Sequence, residues 1–174
     1  LQTIPQTFQA VCVFLFGLAM GSFANVCIYR MPKQESVIHP RSHCPSCNNP
    51  IAIWDNIPVF SYLLLGGKCK SCRQPISIIY PLVEIAAGVL LTAVFIRFGP
   101  TLDFLIFAVV AFSLLIITAI DLEHKIIPDL ITLPGIIFGF IAGAYFIGPF
   151  NSIMGFLLGG GLFYAIAVLS RGGM

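Results

Sequence analysis

Five stretches of this chain are almost free of polar residues, and one long stretch between the first two is not. The apolar runs cover residues 8–28, 78–96, 102–120, 126–147 and 153–169. Each is near the ~20 residues an α-helix needs to cross a hydrocarbon layer of ~30 Å. They are continuously apolar rather than alternating, which predicts helices. Lipid permits only helices or closed barrels, because it offers the backbone no hydrogen-bond partners. Pro81 and Pro128 stand at the predicted starts of the second and fourth helices, where a missing N–H costs little. Asn151-Ser152, after Pro149, predicts a cap for the fifth. Pro134-Gly135 predicts a kink in the fourth. Gly155 and Gly159, backed by Gly160 and Gly161, predict a close-packing face on the fifth.

The fold class that follows is an all-α polytopic membrane protein of about five transmembrane helices with a small polar insert between helices 1 and 2. The predicted divisions are residues 1–29 for the first helix, 30–77 for the insert, and 78–174 for a membrane core of helices 2 to 5. Composition agrees. Charged residues are 9% of the chain and hydrophobic ones 58%, against about 25% charged in soluble domains. Residues 1–7 carry no positive charge and the first run is span-length, so no secretory signal peptide is read there.

Charge placement predicts orientation. Of nine Lys and Arg residues, all but Arg97 fall on one side if the first helix ends in the cytoplasm. Cytoplasmic loops carry the excess of basic residues. The insert, Asp121 and Asp129 are therefore expected at the cytoplasmic face. Nothing in the sequence calls for nucleic acid as a partner.

The insert carries the first chemistry. Cys44-Pro45-Ser46-Cys47 and Cys69-Lys70-Ser71-Cys72 form C-x2-C-x21-C-x2-C, slightly longer between pairs than the usual zinc-ribbon spacing. Each pair can put two thiolates on one tight turn, and two such turns make the closed tetrahedron that structural Zn²⁺ prefers. Two disulfides are the alternative, disfavoured in a reducing cytoplasm. Cys12 and Cys27 lie in the first apolar run and read as small hydrophobes. His39 and His43 flank the first pair, and a surface role is expected of them.

Carboxylates carry the second. Asp121 closes the third apolar run, at a level where charge is costly and usually functional. Lys125, four residues on, leaves open a plain helix-end ion pair. Asp129 follows Pro128, where an acid also suits a helix N-terminus. Glu84 lies shortly after Pro81 and also reads as structural on composition alone.

Taken together the motifs resemble the type IV prepilin peptidases. Gly21-Ser22-Phe23-Ala24-Asn25-Val26 with Arg30-Met31-Pro32 is similar to that family's opening signature. The cysteine pairs, with Asn56-Ile57-Pro58 between them, resemble its cytoplasmic zinc-binding domain. Tyr80-Pro81-Leu82-Val83-Glu84 is similar to the segment that follows. Asp121 with Ile127-Pro128-Asp129 and Leu133-Pro134 resembles the stretch holding the first catalytic aspartate.

The resemblance implies a bifunctional enzyme of the bacterial inner membrane. It would remove the basic leader of type IV prepilins and pseudopilins at the cytoplasmic face. It would then methylate the new N-terminus with S-adenosylmethionine. Asp121 would be one of two carboxylates sharing a proton, with Asp129 and Glu84 as possible active-site support. The residues that would contact the methyl donor are not readable, since no glycine-rich nucleotide loop follows a strand. The family's second aspartate belongs to a G-x-G-D motif, and Arg171-Gly172-Gly173-Met174 is similar to the approach to it. The chain is therefore expected to be part of a longer protein. A non-catalytic adaptor, using the zinc ribbon to bind a pilus or secretion partner, is the competing expectation.

Overall fold

The structure, a computed structural model, describes residues 5–39 and 41–170. The expectation for residues 171–174, and part of that for residues 1–7, lies outside the described residues.

Among the described residues, five helices are long and apolar enough to cross a membrane. They are α1 (Gln6–Arg30), α3 (Ile79–Phe98), α4 (Leu102–His124), α5 (Asp129–Ile147) and α6 (Pro149–Leu169), with the short α2 (Phe60–Leu64) inside the insert. Extended pairing among the described residues is confined to two isolated bridges in the insert. The chain separates into two compact units, Leu1–Pro128 and Asp129–Met174.

In the first unit α1 and α3 pack along small residues. A Cβ built on Gly17 would stand 2.7 Å from Gly88 Cα, and one on Gly21 would stand 2.5 Å from Glu84 Cα. The helices thus meet backbone to backbone, the device by which membrane helices gain dispersion energy. Asn25 Nδ2 donates to the Tyr80 carbonyl at 3.0 Å, tying the end of one helix to the start of the other. α4 joins α3 through Phe95 against Phe104 edge-on and Phe98 stacked on Phe107. Gly99, at φ 65°, ends α3, and the Thr101 hydroxyl caps α4 by accepting from the Phe104 N–H.

Three helix-end expectations are corrected. α4 continues past Ile120 to His124 and stops where Lys125 turns left-handed, its N–H bonded to the Asp121 carbonyl. α5 starts at Asp129 rather than Ile126, because Pro128 disfavours helical geometry in the residue before it. α6 starts at Pro149 on Gly148, whose φ is 86°. Asn151 and Ser152 are inside that helix, and their side chains donate to the carbonyls of Ile147 and Phe140.

In the second unit, Gly143 makes room for Ser152 against α5. The close-packing face predicted from Gly155 and Gly159 is not used: a Cβ there, or on Gly160 or Gly161, meets nothing within 4 Å. α5 continues through Pro134. The large apolar side chains of α4, α5 and α6 are mostly exposed, as a surface facing lipid requires.

Candidate metal centre and boundary carboxylates

The insert is built on two copies of one turn. Cys44 N–H donates to the Asn49 carbonyl and Asn48 N–H to the Cys44 carbonyl; Cys69 N–H donates to the Gln74 carbonyl and Arg73 N–H to the Cys69 carbonyl. Asn48 and Arg73, the residues just after each pair, both take positive φ, 57° and 62°. His43 bridges to Pro50 and Lys68 to Pro75 at the base of each turn. The repeat is legible once aligned: Cys-Pro-Ser-Cys-Asn-Asn-Pro-Ile from Cys44 matches Cys-Lys-Ser-Cys-Arg-Gln-Pro-Ile from Cys69. The C-x2-C spacing covers only the first half of each copy; Pro50-Ile51 and Pro75-Ile76 complete it.

The turns face each other. The sulfurs of Cys44, Cys47, Cys69 and Cys72 all lie within 4.8 Å of one another, with Cys44 and Cys72 3.9 Å apart. A tetrahedron with Zn–S bonds of ~2.3 Å has edges near ~3.8 Å, so the set fits a closed four-thiolate ion with little adjustment. The cysteines are free thiols. The backbone amides of Ser46 and Cys47 lower the Cys44 thiol to about 6. At Cys72 the Gln74 amide acts downward, but desolvation and the neighbouring thiols outweigh it and hold the thiol at about 11.

The insert is fastened to the membrane helices by polar contacts. Arg30, buried at the end of α1, donates to the carbonyls of Ser36 and Arg41. Glu84 is also buried. Its Oε2 accepts from the Val59 N–H at 2.6 Å, and the Ser22 side chain donates to the same carboxylate. Val59 sits at φ 61°, ψ −49°, and the Phe60 N–H closes a tight turn on the Pro58 carbonyl. A β-branched residue there is strained. Lys70 pairs with Asp55 at 3.0 Å on the exposed side.

A cavity of about 440 Å³ lies between the insert and the α1–α3 pair, with Asn25, Tyr29, Asn56, Tyr62, Tyr80 and Glu84 on its wall. Its volume is that of a small-molecule site.

Asp121 is exposed in the last turn of α4. The ion pair with Lys125 is not formed: among the described residues the only ion pair is Lys70 with Asp55. Asp129 is the first residue of α5 and is exposed. The four cysteines are thus brought together, Glu84 is brought to the insert, and Asp121 and Asp129 fall in different units.

Residues 15–98 match the family described as Bacterial Peptidase A24 N-terminal domain, and residues 108–174 match the Type IV leader peptidase family. A prepilin leader peptidase/N-methyltransferase of Myxococcus xanthus is 46% identical over 140 residues, 80% of this chain and 41% of that protein. Proteins of the same name from Pseudomonas aeruginosa and Bacillus subtilis are 36% and 42% identical, over 86% and 93% of this chain and 59% and 66% of their own lengths. The chain therefore spans about two fifths to two thirds of these relatives. No solved structure matches. Both halves of the sequence match, in order, and the chain belongs to the type IV leader peptidase family.

Proposed function

We propose that this protein is a prepilin leader peptidase that also methylates the N-terminus it exposes. The names of its relatives support the reaction class. The observation that carries the assignment of Asp121 is its exposed place in the last turn of α4, with no cation paired to it among the described residues. A bond just ahead of a substrate's hydrophobic helix would lie at that level. Orientation rests on the basic residues, which put the insert and Asp121 at the cytoplasmic face of the inner membrane.

In this reading Asp121 is one carboxylate of an aspartic pair. Two close carboxylates share a proton because both cannot ionise. One takes a proton from the attacking water while the other polarises the scissile carbonyl. A basic leader needs acidic contacts. Asp55 is paired with Lys70 and Glu84 is buried against Val59, whereas Asp129 is exposed. Glu84 supports the site by holding the insert.

The four cysteines hold a structural zinc with no open coordination position, so the ion takes no part in hydrolysis. S-adenosylmethionine supplies an electrophilic methyl group when bound. The cavity beside Glu84 is large enough for it. Tyr62 and Tyr80 line it, and aromatic rings are favourable neighbours for a sulfonium cation.

The test is cleavage of a prepilin with a basic leader by the reconstituted protein, read by product mass. Asp121→Asn should lower the rate by about 10²–10⁴-fold with helicity unchanged. Undiminished cleavage would remove Asp121 from the mechanism. A wild-type protein that binds the prepilin without cleaving it would establish the adaptor instead.

A further inference from the structure

We infer that residues 53–64 form a platform embedded in the lipid interface beside α1, with Trp54, Phe60, Leu63 and Leu64 among headgroups and upper acyl chains. The insert is polar around its thiols but not here. Trp54 is 81% exposed and Leu64 71%, with Ile53, Phe60 and Leu63 also open. An exposed cluster of this size on a protein calls for a partner.

Depth identifies the partner. Glu84, which binds the Val59 N–H, lies about 7–8 Å inside α3 from its start, at ~1.5 Å per residue. Ser22, on the same carboxylate, lies about 12 Å inside α1 from Arg30 by the same rise. Ile53 and Pro58 share a cleft with Phe23, at about the level of Ser22, and with Ala19, deeper still along α1. The Ser61 hydroxyl donates to the Trp54 carbonyl and accepts from the Ile57 N–H, which knits the turn carrying Trp54 to α2. The platform therefore stands at the level of helix turns that cross lipid.

Its backbone is suited to that place. The N–H groups of Ile57, Phe60, Ser61 and Leu63 are satisfied within the platform, that of Asp55 by the Ala52 carbonyl just before it, and that of Val59 by Glu84. Irregular backbone near hydrocarbon requires such internal satisfaction. Tryptophan at this depth is an interfacial anchor. Exposed Lys68 and Arg73 on the same insert complement anionic headgroups, as at other interfacial segments.

Trp54 is the only tryptophan of the chain, so it reports its own depth. The zinc-loaded full-length protein would be reconstituted in vesicles containing phospholipid brominated near the glycerol end of its acyl chains. Signal would be taken as the difference from Trp54→Phe, a change at an exposed position. The expected result is loss of most Trp54 emission to the brominated lipid, with little loss to aqueous iodide. Quenching by iodide but not by brominated lipid would overturn the inference. So would shielding that develops only when a prepilin signal segment is added, since the surface would then belong to a protein partner. No outcome depends on peptidase activity.

Discussion

Glu84 shows how one buried carboxylate can serve structure at a site where chemistry would be the first guess. Val59 would otherwise have an unsatisfied N–H in a turn that β-branched residues avoid, and the carboxylate supplies the acceptor. What matters in this role is an oxygen, not a charge. Glu84→Gln should therefore keep the insert docked, its amide oxygen replacing Oε2. Glu84→Ala should leave the donor orphaned and destabilise the docking by about 1–3 kcal/mol. Hydrogen exchange at the Val59 amide reads the difference. Equal protection in the two variants would mean that the contact does not hold the turn. This contact spans 25 residues of sequence and joins a loop to a helix, so no local pattern announces it. Asp121, by contrast, stands out in the sequence as an acid closing an apolar run, and it lies exposed in the last turn of α4.

At the scale of elements, hydrophobic length revealed the five spans and left their ends to proline and glycine. Lys125 and Pro128 place the α4–α5 connection between them, where the unbroken apolar pattern of Ile126-Ile127 had suggested helix. The glycines were harder. The sequence pattern points to Gly155 and Gly159, yet among the described residues Gly17, Gly21, Gly88 and Gly143 are the ones against another helix. A small-residue stripe states that a helix can pack closely, but not on what. The two stripes make a matched test. Gly21→Ala puts a methyl 2.5 Å from Glu84 Cα and should cost about 1–3 kcal/mol as α1 and α3 separate. Gly159→Ala meets nothing within 4 Å and should be neutral or slightly stabilising, as expected of alanine in a helix. Thermal unfolding in one detergent compares them; equal losses would refute the α1–α3 contact. Reading the insert simply as polar also hid the apolar platform, because its exposed Trp54 and Leu64 are separated in sequence by charged and turn residues.

For the whole molecule, the thiol cluster and the membrane helices carry separable shares of the fold. α1 and α3 meet through small residues and the Asn25–Tyr80 bond, none of which involves sulfur. Cys69→Ser should therefore lose zinc and expose the insert to protease while the helical signal of the membrane spans persists. Metal content per chain and limited proteolysis together read this. Full metal retention with undiminished resistance would refute the four-cysteine site. The same variant should not shift Trp54 towards water if Glu84 and Ser61 alone hold the platform in place.

The two matching cysteine turns come before and after the platform in the sequence, and α1 and α3, which flank the insert, are paired. Bringing the two halves of the site together is thus largely accomplished by membrane insertion, which raises the effective concentration of one turn at the other. On the proposed zinc site, a chain whose α3 has not yet met α1 would hold its two cysteine turns apart, so metal capture is expected to follow the pairing of the first two spans.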